Sequence, residues 1–598
     1  MNRHDLGALL SAPGGFAPFP RRQQRARWEA LDGQTRRELI AWGDEALCGY
    51  PMVTATQFLA FSRTGDRQAF ERPYFARRRL LMGAVLAECL LDDGAHMDAV
   101  VDGLWCIMEE TAWVVSAHNG SDHPGALPMN RRPLPDEANP YVDLFSAQTA
   151  ATLAYTLYFL EDKLNAVSPL IARRVRAQLE RRVITPFMTH DDFWWMGMIR
   201  RDVCNWTPWI LSNILTVALL TERDAVRMAQ IVERALRMLD SYLAVMPADG
   251  GCDEGAAYFN VAGAALLDCL EAVYEATDGR VSFYGEPLIA NIGAFPLRAH
   301  IDGAYYLNFA DCDAMPALDG ARIWRYGQRT GNEALCSLGA HIHAGRRGVR
   351  PLDTPQMNRV LHALFDPIPG GEVPAPQPFM ALPDLQVFAW RRGGLYVALK
   401  GGHNAESHNH NDVGSFVVYA DGEPQIVDMG NMVYTAKTFG PERYTLPNTR
   451  SRNHNVPLIG ETEQAAGRER AARDVSAGER GASMDIAAAY PPEAGVRSLV
   501  RELTVSEMGF AIADCAELSR AQEVTWVFML RSRPELLEGE VRAGKLALRH
   551  DPALLRGVEE MPVTDERMQR NFPGSLFRLT LTAAPDTRHR QAFIITRS

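Results

Sequence analysis

From about residue 22 to 365, apolar positions recur at helical spacing. Val101, Leu104, Trp105, Met108 and Ala112 form one stripe, and Met228, Ile231, Ala235 and Leu239 form another. A period of three to four residues puts such side chains on one face of a helix, so each stripe predicts a helix with one buried side. Thr221, followed three residues later by Asp224, reads as a capping box with Asp in place of Glu, opening the helix of the second stripe. Short breaks of Gly, Pro and Asp separate about ten to twelve such helices, for which antiparallel hairpins are the natural packing.

The pattern stops at DPIPGGEVPAPQPF, residues 366–379, where five prolines and two glycines exclude a helix or a central strand. This places a helical domain over 1–365, a Pro-rich linker over 366–380 and a second domain over 381–598. In the second domain the period is two: Val387 and Ala389, Tyr396 and Ala398, then Phe416, Val418 and Ala420 before an Asp421-Gly422 turn and a return strand from Gln425 to Val427. Further strands are expected around 497–506, 509–518, 522–531 and 574–597. The fold class is therefore multidomain α+β, with a helical N-terminal part and a C-terminal antiparallel β-sandwich.

Composition narrows the function classes. The 598 residues are 47% hydrophobic and 23% charged, with a net charge of -11, as in an ordinary globular protein and unlike a sequence-independent nucleic-acid binder, which needs a basic face. Only Lys163, Lys400, Lys437 and Lys545 are lysines among 62 basic residues. The arginines offer planar forks suited to carboxylate and sulfate oxygens. Nine cysteines without a CxxC pair read as reduced thiols. The N-terminal apolar patch, Leu6 to Leu10, is broken by Gly7 and makes a poor signal peptide. No window approaches the ~18 apolar residues of a membrane span. The expectation is a cytoplasmic protein with no membrane or nucleic-acid partner, or a periplasmic one if a leader was removed. Monomer and homodimer both stay open.

The most concentrated chemistry lies in SHNHNDVGSF, residues 407–416. On an extended backbone His408 and His410 would point to the same side. Asp428 closes the hairpin begun just after His410, and His454 follows in TRSRNHN, residues 449–455. A His, Asp, His set suits Zn²⁺, with Mn²⁺ as the alternative because one ligand is a hard carboxylate. Read without further context, the same residues could also be polar loop groups bonding a turn.

The run HNHNDVGSFVVYADGEPQIVDMG, followed by NTRSRNHN, resembles the C-terminal signature of the heparinase II/III-like polysaccharide lyases. In the helical half, DLFSAQTAATLAY (143–155), DDFWWMG (191–197), NWTPWILSNIL (205–215) and DGGCDEGAAYFN (249–260) fall in the order that family shows. The resemblance covers roughly residues 70–550. It implies an incomplete (α/α) toroid followed by an antiparallel β-sandwich, a substrate cleft, and β-elimination on uronic-acid chains such as glycosaminoglycans, with an acidic oligo- or polysaccharide as partner.

By the same resemblance Asn205 matches the asparagine that neutralises the uronate carboxylate, although the residue could equally cap the following helix. Tyr258 matches the general acid, which for some epimers is also the base, a role that requires surroundings that lower the phenol's pKa. His408 matches the base in the cleft, and His410, Asp428 and His454 match the ligands of one divalent metal, structural before catalytic. Trp206, Glu254, His118, Tyr444 and Arg450 are the candidate substrate contacts. Asn119 and His123 belong to the same loop as His118, SAHNGSDHPG. Trp206 stands where some branches of the family carry a histidine, which resembles the heparinase III-type Asn, Tyr, His pattern. The competing readings are a glycoside hydrolase using Asp253 and Glu254 or Asp191 and Asp192, and a non-catalytic acidic-sugar-binding protein.

Overall fold

A computed structural model describes residues 6–119, 133–199, 201–346, 348–351, 355–435, 437–438 and 440–598. His123 lies outside the described residues. The chain divides into two compact units: Met1–Met246 with Asn260–Gly293 and Leu318–Glu372, and Pro247–Phe259 with Ala294–Ala317 and Val373–Ser598. Two excursions from the helical half, 247–259 and 294–317, thus belong to the second unit, which a single cut at the Pro-rich segment does not anticipate.

The first unit is an (α/α) toroid of successive helical hairpins. Leu144–Val167 and Trp206–Thr221 are buried nearly all round, as expected for helices with no polar face to present to water. Asp143 caps the first by accepting from Ser146 N at 2.7 Å. Around them run amphipathic helices such as Ala225–Leu243, whose Met228, Ile231, Ala235 and Leu239 are buried as the stripe predicts. Its cap differs from the sequence reading: Asp224 alone is the N-cap, accepting from Val226 N and Arg227 N, because Thr221 still belongs to the preceding helix. The other stripe is also shorter than expected. Its helix ends at Met108, before Ala112, and Trp105 is exposed. Gly339 lets Gly320–Thr330 and Glu333–Ala344 pack backbone to backbone, since a Cβ there would sit 2.2 Å from Trp324 N.

The second unit is an antiparallel β-sandwich. Phe379–Leu382, Val387–Arg392, Leu395–Lys400, Phe416–Ala420 and Glu423–Ile426 pair in sequence order. Asp421 and Gly422 both have positive φ (49° and 77°), the conformation of the tight hairpin turn that an Asp-Gly pair favours. The strands expected at 509–518 and 522–531 are one, Gly509–Leu530, paired along most of its length with Ser575–Arg597. The ladder is irregular between Glu517 and Val524. Before that break Gly509–Leu530 pairs with Val496–Val505, and after it with Pro457–Ile459.

Phe388, Trp390, Val397, Leu399, Phe416 and Val418 pack with Leu499, Phe510, Ile512, Trp526, Phe528 and Phe593 in one core, each large side chain contributing about 1.5–3 kcal/mol by burial. One ion pair lies inside it: Arg501 donates Nε and Nη2 to the two oxygens of Asp514 at 2.8 and 2.6 Å. Arg501 Nη1 donates to the carbonyls of Gly414 (2.5 Å) and Asn455 (2.8 Å). Those carbonyls end the two loops that carry His410 and His454, so the core fixes both.

Among the described residues one helical run, Ala256–Ala276, is long and apolar enough to cross a membrane, and most of it is buried.

Candidate functional site

After the short strand His403–Asn404 the segment to Ser415 is a loop, and the next strand begins only at Phe416. His408 has φ 55°, so His408 and His410 do not share a strand face as the extended-backbone reading supposed. What joins them is a carboxylate. Asp311 Oδ2 lies 2.9 Å from His408 Nδ1, and Asp311 Oδ1 lies 3.0 Å from His410 Nε2. Arg443 donates to Oδ2 at 3.1 Å. Burial alone would raise Asp311, but hydrogen bonds from both histidines and the Arg443 charge outweigh it and hold the carboxyl below the usual range.

A pair of phenols also lies against His408. Tyr258 Oη lies 3.2 Å from His408 Nε2, 3.4 Å from its Nδ1 and 2.6 Å from Tyr434 Oη, which lies 3.2 Å from His408 Nδ1. Burial, reinforced by Tyr434 and Glu254, pushes Tyr258 well above the ordinary phenol range. The surroundings therefore keep Tyr258 protonated, the opposite of what a tyrosine base requires. Glu254 is buried with an oxygen 3.8 Å from His408 Nε2. Burial pushes this carboxyl up to about 7, with His408 opposing.

His410, Asp428 and His454 form a buried group whose ligand atoms all lie within 4.8 Å of one another. The hydrogen bonds fit a cation. His410 uses Nε2 on Asp311, and its Nδ1 is buried with no hydrogen-bond partner. His454 Nε2 lies 2.9 Å from the Asn448 carbonyl and can only donate to it, which turns the Nδ1 lone pair of the neutral ring toward Asp428 Oδ2 at 2.9 Å. Two imidazoles and a carboxylate with ligand atoms this close together, each imidazole also tied through one nitrogen to an acceptor, make a donor set suited to a divalent metal.

Tyr444 lies beside this loop, its hydroxyl accepting from Asn409 at 3.2 Å. Arg450 is engaged by Glu463 through both Nε and Nη2, so its charge is matched within the protein. Asn205, Trp206 and His118 belong to the helical unit. Asn205 occupies the N-cap position of Trp206–Thr221 without a side-chain capping bond, so the capping role does not account for its amide. Its Oδ1 accepts from Cys204 Sγ at 3.3 Å. The Trp206 ring lies 4.7 Å from His118 and 5.0 Å from Trp194, and His118 Nδ1 lies 2.7 Å from Asp143.

Asp311, Tyr434 and Arg443 were not found from the sequence. Asp311 sits in NFADCDAM with no spacing that marks it. Tyr434 and Arg443 follow the hairpin in a segment without periodicity, and only their nearness in sequence to Asp428 could have drawn attention.

Residues 374–564 match the family model described as "Heparinase II/III-like, C-terminal". The matched segment is therefore similar to a heparinase II/III-like C-terminal domain. No curated protein sequence matches. Among solved structures, a heparinase III with methylated lysines matches at TM-score 0.62 and 11% identity, over 95% of this chain and 85% of that one. The heparan sulfate lyase HepC from Pedobacter heparinus matches at 0.59 and 14%, over 95% and 83%. The Streptomyces coelicolor A3 chondroitin AC lyase, in complex with chondroitin sulphate, matches at 0.53 and 13%, over 96% and 82%. At such identities the likeness establishes the fold, toroid and sandwich together. The heparinase II/III-like domain contains the candidate metal group and His408, both within the matched residues.

Proposed function

We propose that this heparinase II/III-like protein is a polysaccharide lyase that cleaves uronic-acid-containing chains, glycosaminoglycans foremost, by β-elimination. The observation that carries the reading is the contact of a protonated phenol, Tyr258, with the Nε2 edge of an imidazole whose Nδ1 is held by Asp311. His408 takes the C5 proton of the uronate, the C4–O4 bond breaks as the C4–C5 double bond forms, and Tyr258 gives its proton to the departing O4. Negative charge builds on the uronate carboxylate in the transition state, and an uncharged donor stabilises it there. The family resemblance gives that role to the Asn205 amide, with Trp206 and His118 as sugar contacts beside it.

Zinc, held by His410, Asp428 and His454, would fix the loop behind His408. The rest of the proton transfer falls to the chain's own side chains, with Glu254 contributing a buried carboxyl beside the base.

Of the four carboxylates of the hydrolase reading, Glu254 stays beside His408 and the other three have partners of their own. Asp253 accepts from Ser407 N at 2.9 Å, Asp191 pairs with Arg234, and Asp192 pairs with His190. The lyase reading is tested by incubating the protein with hyaluronan, chondroitin, heparan and alginate fragments. Ultraviolet absorbance of a 4,5-unsaturated uronate, with product sizes by mass spectrometry, is the expected result. Cleavage without that absorbance would favour hydrolysis, and no cleavage of any of them would favour a sugar-binding protein.

A further inference from the structure

Asp311 lies 97 positions before His408 and 99 before His410, outside every motif that singled out the site. Its segment is locked in place. Asn308 donates to the Asp428 carbonyl at 2.9 Å, and Asn431 donates to the Asp311 carbonyl at 2.8 Å. A Cβ on Gly430 would lie 2.4 Å from the Cys312 carbonyl, so the two segments are in backbone contact. Ala310, the preceding residue, has φ 60°, a strained conformation for a non-glycine residue that persists only where the surroundings enforce it.

A carboxylate so placed decides which nitrogen of each ring carries hydrogen. With Oδ1 accepting from His410 Nε2, the His410 lone pair is left on Nδ1, a buried atom that lacks a hydrogen-bond partner, in a residue grouped with Asp428 and His454. With Oδ2 accepting from His408 Nδ1, the His408 lone pair is left on Nε2, the atom 3.2 Å from Tyr258 Oη. Arg443 holds the same Oδ2 and donates through Nε to the Asn409 carbonyl, between the two histidines, at 3.0 Å.

We propose that Asp311 is a positioning residue that couples the two halves of the site, one carboxylate fixing at once the metal-binding form of His410 and the proton-accepting form of His408. The inference rests on the lyase reading for the role of His408 and on the fit of the His410, Asp428 and His454 group to a cation. Asparagine at 311 keeps the shape but presents an NH₂ where one of the rings offers N–H. One histidine must then turn its hydrogen to the wrong nitrogen.

The test uses the full-length protein, stripped with a chelator and titrated with zinc against a chromophoric competitor, alongside steady-state kinetics on the uronate fragment it cleaves best. Asp311→Asn should bind zinc about 10- to 100-fold more weakly. Reloaded at saturating zinc, it should lose at least about tenfold in kcat with KM within about twofold, because the ring that accepts the proton, and not the sugar contacts, is disturbed. Since Asp311→Asn could fail to fold, His408→Ala approaches from the other end. It keeps all three metal ligands and Asp311, and it should still bind zinc several-fold more weakly, the carboxylate having lost one of its anchors. Parental zinc affinity in either folded variant overturns the coupling, as does an Asp311→Asn enzyme of parental kcat, or a parent that binds no zinc. A parent that turns over no uronate chain sinks the lyase reading alone, because the zinc affinities still decide the coupling.

Discussion

The Tyr258 hydroxyl and His408 Nε2 stand 3.2 Å apart, with the phenol pushed up by burial and the imidazole held through Nδ1 by the Asp311 carboxylate. Such a pair can divide an elimination between donor and acceptor. Tyr258→Phe should lower kcat by about 10²- to 10⁴-fold while leaving substrate affinity near the parent's, read by steady-state kinetics and by calorimetric titration with an uncleaved fragment. Parental kcat in the Phe variant would remove the phenol from the chemistry.

Asn205→Ala should lower kcat by about 10²- to 10³-fold if its amide meets developing carboxylate charge. The melting temperature, read alongside, separates this role from a structural one. A stability loss without a kinetic one would return Asn205 to a structural role.

Zinc added to the stripped protein should raise the melting temperature, with free metal at 100-fold its Kd adding about 2.7 kcal/mol. His454→Ala should abolish that increment, since it removes one of three ligands. Differential scanning fluorimetry reads both.

Glu254 gives a pH signature. Its carboxyl, at about 7 when folded against an ordinary 4.5, holds a proton between those values that the unfolded chain has released. Stability from this group therefore falls as pH rises from about 4.5 to 7, by at most about 3 kcal/mol. Glu254→Gln should melt higher than the parent at pH 8 and alongside it near pH 4.5. A constant offset at both pH values would contradict the assignment.

Arg501→Ala should destabilise the β-sandwich by about 3–5 kcal/mol, because it leaves Asp514 buried without its counter-charge. It also frees the carbonyls of Gly414 and Asn455. Zinc affinity should fall with stability in this variant, measured by denaturant unfolding and competitive titration.

The sequence carries the fold and half of the site. Helical stripes such as Met228 to Leu239 and the Asp421-Gly422 hairpin are local signals, legible because burial on one face repeats along the element that forms it. The group that could hold a metal was legible because His410, Asp428 and His454 flank one hairpin. Trp105 and Thr221 misled for local reasons, one being an apolar residue left on the surface and the other the last residue of the preceding helix. Asp311 and Tyr434 were illegible because their positions follow from tertiary packing of the 294–317 excursion and of the segment after Asp428, and no periodicity encodes either.

The left-handed backbone at Ala310 has a consequence for how this chain can vary. Glycine at this position would relax the turn locally but lose the restriction that a Cβ imposes on the unfolded chain, and it would loosen the aim of the adjoining Asp311 carboxylate. Melting temperature and turnover should therefore part company there: an Ala310→Gly variant no less thermostable than the parent, yet slower. The tolerated direction of drift is toward sturdier and idler molecules, and alanine at 310 marks a compromise set by the reaction more than by the fold.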